Sequence, residues 1–154
     1  IGGVAGFFIG KFTAPQKTIT VTDKVEVPVY ESDMLVQASD VFIYDIPLSD
    51  SLQRYIYEIC ADEGVPVTLA LAMIEHESGF NPEAVMNPYQ NVFCGISIIG
   101  QYIEKYSDYG KALMAYNMGN YGAQKAWENG VNSTKYSESI LALMEKYEEV
   151  SHDK

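Results

Sequence analysis

Two glutamates on either side of a histidine stand at the end of an apolar stretch, in the segment AMIEHESGFNP (72–82). On a helix of about 3.6 residues per turn, side chains at the spacing of Glu75 and Glu77 point about 200° away from each other. The two glutamates therefore cannot form a carboxylate pair on one helix face. At most one of them can line a given pocket.

The position of these glutamates in the helix affects their chemistry. Both fall in the last predicted turn, where the helix dipole is negative and apolar neighbours reduce contact with water. Both effects favour the protonated form of a carboxyl group, which is the form that a general acid needs at neutral pH. The alternative is that both are solvated charges at a helix end. Composition and spacing alone do not decide between these interpretations.

His76 raises the question of a metal site, because His-Glu opens the zinc-binding motif HExxH. The chain continues as HESGF without the second histidine, and its other histidine is His152 in the terminal SHDK. A site of this class needs both histidines. The sequence therefore predicts no metal and no cofactor, and it predicts that His76 lies on the helix surface.

The charge of the chain excludes one class of partner. The formal net charge is -11. Binding to nucleic acid depends largely on a basic surface that neutralises phosphates, and the sequence contains no basic stripe. We therefore predict no nucleic-acid partner.

The two cysteines, Cys60 and Cys94, belong to no CxxC motif or Cys/His cluster. They could form one disulfide bridge or remain two thiols. Both lie on apolar faces of predicted helices, which favours packed thiols.

The elements that must position the glutamates are helical. Apolar residues with helical spacing follow Pro47, and the stretch from Val67 to Ile74 is apolar on all sides, which is typical of a buried helix. Capping residues at Ser49 to Ser51, a stop at Gly64 and a second stop at Gly79 bound the first two helices. Later helices are predicted at about 91–105, 110–117, 120–128 and 133–149. Residues 47–154 are thus predicted to form one all-α domain.

The residues before this domain have a different character. Residues 1–10, IGGVAGFFIG, are wholly apolar, with glycine at every fourth position and Lys11 after them. A bilayer needs about 20 residues, so we predict the C-terminal part of a membrane helix; the alternative is an apolar terminus packed on the domain. Residues 11–46 include an alternating stretch, TITVTDKVEVPVY, that Pro28 restricts to an edge or an isolated strand. We predict an extended tether with some β character.

Four ordered segments resemble motifs of the soluble lytic transglycosylase (SLT) family, whose members are similar to goose-type lysozyme. They are ALAMIEHESGFNPEAV (70–85), NPYQNVFCGISIIGQYIEKY (87–106), KALMAYNMG (111–119) and STKYSESILALMEKY (133–147). The first resembles the family segment in which an apolar helix ends in a catalytic glutamate and a serine. The others resemble the family's Asn-x-x-x-Gly helix, with Asn91 and Gly95, its Ala-Tyr-Asn-x-Gly motif and its closing helix. The resemblance covers about residues 47–149.

The resemblance implies a lysozyme-like helical domain and a role for each matching residue. Glu77 would be the catalytic acid and base, and Ser78 would support the substrate or the loop after the helix. Tyr116 and Asn117 would shape the sugar site, and Tyr136 would lie near the glutamate. Without the motifs, the two tyrosines could equally be core aromatics.

The resemblance also implies an activity. The chain would be a peptidoglycan lytic transglycosylase that cleaves the β-1,4 bond between N-acetylmuramic acid and N-acetylglucosamine and forms a 1,6-anhydro product. A hydrolytic muramidase acting on the same bond is the first alternative. A wall-binding or assembly module with impaired catalysis is the second, because only MNPYQ (86–90) fills the interval where family members carry a Gly-Leu-Met-Gln segment that lines the sugar cleft.

A membrane anchor, a tether and a wall-cleaving domain together predict a location and partners. We expect the protein in the cell envelope, anchored on the extracellular side of a bacterial membrane. Its partners would be peptidoglycan glycan strands, the membrane itself, and a secretion, conjugation or phage apparatus. Such a location would also permit a bridge between Cys60 and Cys94.

Overall fold

The computed structural model describes residues 41–81 and 87–152. The membrane segment predicted for residues 1–10, the tether up to residue 40, and residues 82–86 lie outside the described residues. The described part contains five α-helices and no strand: α1 (Asp50–Glu63), α2 (Val67–Ser78), α3 (Pro88–Tyr106), α4 (Tyr109–Glu128) and α5 (Lys135–His152). This confirms the predicted all-α fold. None of the described helices has both the length and the apolar character needed to cross a membrane.

The ends of the helices follow local capping chemistry. The Ser49 side chain accepts a hydrogen bond from the Leu52 N–H at 3.3 Å, and Gly64 ends α1 in the left-handed conformation with φ of 64°. Helix α3 begins at Pro88, earlier than predicted, because the Asn87 side chain caps it and proline is favoured in a first turn. Helix α5 both begins and ends later than the sequence pattern predicts.

Helix α2 is the centre of the core, as its uniformly apolar sequence predicts. Its six consecutive residues from Leu69 to Ile74 are all buried. The helix packs mainly against α5, while α3 packs against both α1 and α4. The largest fully buried side chains come from all five helices, including Ile56, Leu71, Ile96, Leu113 and Ile140. The buried stretch of α2 thus leads directly into the turn that carries the two glutamates.

Helix α4 contains a kink at Gly119, whose φ of 75° and ψ of 158° are not helical. Glycine alone adopts this conformation readily, because it has no Cβ. The two helices predicted at 110–117 and 120–128 are the two arms of this kinked helix. The second arm is held by Trp127, whose indole Nε1–H donates to Met114 Sδ at 3.4 Å.

The segment that leads into α1 is packed on the helices. Tyr44 is buried in the core, and Phe42 and Ile46 pack against it. Gln53 is 2 % exposed and joins this segment to α1: its Oε1 accepts from the Tyr44 N–H at 2.9 Å, and its Nε2 donates to the carbonyls of Tyr44 and Leu48, both at 3.1 Å. The end of the stretch assigned to the tether is thus in contact with the helical core.

The two cysteines have different environments. Both are free thiols; Cys60 is buried and Cys94 is exposed. Burial raises the pKa of Cys60 to about 12. The prediction of a packed thiol is wrong for Cys94, because it lies beside the exposed Phe93 on the solvent side of α3.

Candidate active site

Glu77 lies in the last turn of α2 and is hydrogen-bonded to Tyr136 in the first turn of α5. The Tyr136 hydroxyl donates to Glu77 Oε1 at 2.6 Å, and both side chains are part-buried. Burial raises the pKa of Tyr136, and the charge of Glu77 and the hydrogen bond to it raise it further. Tyr136 therefore remains a protonated donor to one carboxylate oxygen of Glu77.

Ser78 ends α2 and organises the turn that follows. Its hydroxyl donates to the Ile74 carbonyl at 2.8 Å and accepts from the Phe80 N–H at 3.1 Å. Gly79 and Phe80 are both left-handed, with φ of 58° and 60°. A buried phenylalanine in this region is strained, so the turn depends on the surrounding hydrogen bonds. Of the two roles that the resemblance implies for Ser78, this geometry matches support of the loop.

Tyr116 on α4 completes a group of ionisable side chains around Glu77. It is 6 % exposed, and burial raises its pKa, with the charges of Glu77 and Cys94 adding to the effect. The charge of Tyr116 also raises the pKa of Tyr136. Tyr116 of α4 and Tyr136 of α5 are thus both close enough to Glu77 of α2 for its charge to raise their pKa. Cys94 of α3, which the sequence did not single out as a site residue, acts in the same way on Tyr116.

Two asparagines of the matching motifs lie beside this group in sequence. Asn117 follows Tyr116 directly and is part-buried two residues before the kink at Gly119, which ends the first arm of α4. Asn91 opens the Asn-x-x-x-Gly helix, and its Nδ2 is buried with no hydrogen-bond partner among residues 41–81 and 87–152. Amide groups of this kind need a partner when they are buried.

Glu75 belongs to a different set of contacts. The Tyr147 hydroxyl donates to Glu75 Oε2 at 2.6 Å, near the other end of α5. Tyr147 is buried, and its own carbonyl accepts from the Tyr44 hydroxyl at 3.5 Å. The sequence prediction that the two glutamates face different surroundings agrees with these contacts. The role of Tyr147 was missed, although its distance of three helical turns from Tyr136 was a readable signal.

His76 is exposed, and its ring packs edge-on against Tyr136, with 5.1 Å between ring centroids. The His76 ring thus contacts the same tyrosine that donates a hydrogen bond to Glu77. Within the part of the chain that the structure describes, no three side chains of His, Cys, Asp or Glu are grouped as a metal site would require.

A cavity of about 220 Å³ has Ser78 among its lining residues. Its walls are largely apolar and come from the segment before α1 and from α1, α2 and α3, including Leu48, Leu52, Ile74, Phe80 and Val92. Glu77, Tyr116 and Tyr136 are not among its lining residues. A sugar site needs several polar partners, so this cavity does not fit the chemistry of the glutamate.

Residues 83–140 match the family model described as the transglycosylase SLT domain. This match agrees with the family that the motifs predict. At the level of the family, it supports a lytic transglycosylase-type function that cleaves peptidoglycan. A search of curated proteins and a search of solved structures each found no match. The matched residues include Tyr116, Asn117 and Tyr136 but begin after Glu77. The assignment of Glu77 as the catalytic residue therefore depends on the sequence motif and on the contacts of its side chain.

Proposed function

We propose that this protein cleaves the β-1,4 bond between N-acetylmuramic acid and N-acetylglucosamine in peptidoglycan, with Glu77 as the single general acid and base and a 1,6-anhydro ring as the product. The observation that carries the proposal is the bond from the Tyr136 hydroxyl to Glu77 Oε1 within a domain that matches the SLT family. We propose that Ser78, Tyr116, Asn117 and Tyr136 form the substrate site, in which Tyr136 bonds the carboxylate and Ser78 supports the turn after it.

The first step is protonation of the leaving group. Tyr136 occupies Oε1 of Glu77, so Oε2 carries the proton to the glycosidic oxygen, and the C1–O4 bond breaks as N-acetylglucosamine leaves with that proton. The N-acetyl carbonyl oxygen of the muramic acid stabilises the positive charge at C1, which makes a second carboxylate unnecessary.

The second step returns the proton. Ionised Glu77 removes the proton from the C6 hydroxyl of the muramic acid, and O6 bonds to C1 to close the anhydro ring. Glu77 is again protonated and no water is consumed. A hydrolytic muramidase would use the same glutamate to activate water instead. A single carboxylate in the site suits either outcome, since Glu75 is engaged by Tyr147 on the other side of α2.

The experiment is digestion of purified peptidoglycan followed by mass spectrometry of the products. General acid and base steps typically contribute about 10² to 10⁴ each, so Glu77→Gln should lower the rate by at least about 10³-fold while the helical circular dichroism is unchanged. Glu104→Gln, at an exposed position of α3, is the matched control and should retain full activity. Near-native activity of Glu77→Gln would refute the assignment. Products with reducing ends in place of anhydro ends would identify the hydrolase.

A second candidate function is binding of the wall without cleavage. It is favoured by one observation, the short interval MNPYQ (86–90) where the family carries a longer sugar-binding segment. On this hypothesis the wild-type protein sediments with insoluble peptidoglycan and releases no muropeptides over a long incubation. Release of anhydro-muropeptides that depends on Glu77 would exclude it.

We further propose that the protein acts on the outer side of a bacterial membrane, anchored by residues 1–10 and serving a secretion, conjugation or phage apparatus. The proposal is supported by the apolar run that ends at Lys11. Replacing Phe7 and Phe8 by aspartate should move the protein from the membrane fraction to the soluble fraction. If the wild type and the variant divide between the two fractions in the same proportion, the proposed anchor is contradicted.

A further inference from the structure

The two tyrosines that hold the glutamates lie on one face of α5. Tyr136 and Tyr147 are 11 positions apart in the sequence. At about 100° per residue this spacing returns to within about 20° of the same direction, and at about 1.5 Å per residue it separates the two positions by about 16 Å along the helix. Tyrosines three turns apart on the same face can therefore reach the two sides of a helix that crosses between them.

Helix α2 is the helix in that position. It packs mainly against α5, and its last turn presents Glu75 and Glu77 in opposite directions. The hydroxyl of Tyr136 donates to Glu77 and that of Tyr147 donates to Glu75, each at 2.6 Å. The end of α2 is thus fixed to α5 at two separate points, one on each side of its axis.

We propose that Glu75 and Tyr147 form a positioning pair, which sets the rotation of the last turn of α2 about its axis and thereby aims the Glu77 carboxylate at the substrate. This inference rests on the proposed function, in which Glu77 is the acid and base. Glu75 and Tyr147 do not touch the reacting atoms in this arrangement; they act through the backbone of α2.

The side chain of Tyr147 is fixed by its own packing contacts. Tyr147 is 6 % exposed, and the ring of Tyr44 packs edge-on against it with 5.3 Å between centroids. Burial raises the pKa of Tyr147, and the hydrogen bond to Glu75 raises it further, so that the hydroxyl remains a donor. Gln53 fixes the backbone of Tyr44 from α1. The position of Tyr147 is therefore determined by the core.

The last turn of α2 needs such an anchor. Its carbonyls are capped by the adjoining chain, with the Gly79 N–H donating to Glu75 and the Ser78 hydroxyl to Ile74, both at 2.8 Å, and Gly79 and Phe80 then turn the chain sharply away. These bonds hold the turn together but do not fix it to another helix. With Tyr136 alone, rotation of this turn could carry Glu77 and Tyr136 together away from the glycosidic oxygen. A displacement of about 1 Å at a reacting group can lower a rate by about 10²-fold. A second contact on the opposite side of the helix opposes that rotation.

The test is steady-state kinetics on solubilised glycan strands, with five forms of the full chain compared at a temperature where all are folded. Tyr147→Phe and Glu75→Leu should each lower kcat about 10-fold and change KM by less than about twofold, because the turn is misplaced while the sugar-binding side chains remain. Glu75→Gln keeps an oxygen acceptor for the hydroxyl and should recover most of the lost kcat. The double variant Glu75→Leu/Tyr147→Phe should be no slower than either single variant, since both remove the same contact.

The matched control is Ser97→Ala. The Ser97 hydroxyl donates to Glu63 Oε1 at 2.7 Å, so this variant also removes a hydroxyl-to-glutamate bond between two helices, here α3 and α1. It should keep the wild-type kcat. Wild-type kcat in Tyr147→Phe would overturn the proposal, as would an equal loss in Ser97→Ala or a Glu75→Gln variant as slow as Glu75→Leu. Failure of the proposed function gives a different result, namely no products from the wild type or full activity of Glu77→Gln.

Discussion

Replacement of Gln53 by leucine tests how the segment before α1 is joined to the domain. Leucine is similar to glutamine in size, so Gln53→Leu creates little cavity at this site, which is 2 % exposed. It removes the side-chain hydrogen bonds to three backbone groups: the Tyr44 N–H at 2.9 Å and the carbonyls of Tyr44 and Leu48, both at 3.1 Å. The loss of hydrogen bonds therefore dominates the effect.

The magnitude follows from which of these groups water can reach. Both bonds to Tyr44 are buried, and the bond to Leu48 is part-buried, so solvent can replace the last one. The Tyr44 N–H loses its buried acceptor, at a cost of about 2 kcal/mol, and the Tyr44 carbonyl loses one bond, at a cost of about 1 kcal/mol, but keeps the bond from the Ile46 N–H at 3.0 Å. Burial of the leucine side chain offsets about 1.5 kcal/mol. We expect a net loss of about 1.5 kcal/mol in the free energy of unfolding.

The assay is urea unfolding followed by circular dichroism, with hydrogen exchange measured on peptides that cover residues 41–49. Gln101→Leu, at an exposed position of α3, is the control and should change stability by less than about 0.5 kcal/mol. If the segment detaches as a unit, exchange in residues 41–49 rises to that of an unfolded chain and the global loss is smaller. A Gln53→Leu protein with wild-type stability and wild-type exchange would refute the reasoning.

Two further predictions concern single groups of the domain. Tyr136→Phe should cost about 1.5 to 3 kcal/mol in the ionised state of Glu77, because the acceptor is then a charged carboxylate. Tyr57→Phe, whose hydroxyl donates to the neutral Phe42 carbonyl at 2.8 Å, should cost about 0.5 to 1.5 kcal/mol. Thermal unfolding compares the two variants, and the same loss in both would contradict a charged acceptor for Tyr136. Burial raises the pKa of Cys60 from 9.0 to about 12, so between these pH values the unfolded chain loses a proton that the folded protein keeps, and stability falls as pH rises. Urea unfolding should show that Cys60→Ala lacks this contribution of about 1.4 kcal/mol per pH unit; parallel pH profiles of the two proteins would exclude it.

The parts of the fold that the sequence predicts well are those decided by local chemistry. The ends of α1 at Ser49 and Gly64 and the end of α2 at Gly79 follow from caps and from the left-handed preference of glycine. The burial of α2 follows from its uniformly apolar composition. These features depend on residues within one turn of each other, and a linear pattern contains all the information that they need.

The parts that the sequence does not predict depend on packing between distant segments. Cys94 lies on an apolar stretch of α3, yet that face is exposed because α1 and α4 cover other faces of the helix. Tyr44 belongs to the core although its segment has no helical or strand period. For the candidate site, the motifs identify Glu77 and Tyr136, while Tyr147 carries the pattern of an ordinary core position. Its partner Glu75 is 72 positions away in the sequence.

The comparison of the two glutamates explains how nearly adjacent residues of one type can have different roles. Both accept a hydrogen bond of 2.6 Å from a tyrosine of α5, so the bond itself does not distinguish them. Their wider surroundings do. The charge of Glu77 acts on Tyr116 of α4 as well as on Tyr136 of α5, so its carboxylate lies near side chains of two other helices. The partner of Glu75, Tyr147, is enclosed by the core and by Tyr44. In the proposed function, Glu77 therefore meets the substrate beside Tyr116 and Tyr136, while Glu75 and Tyr147 hold the end of α2.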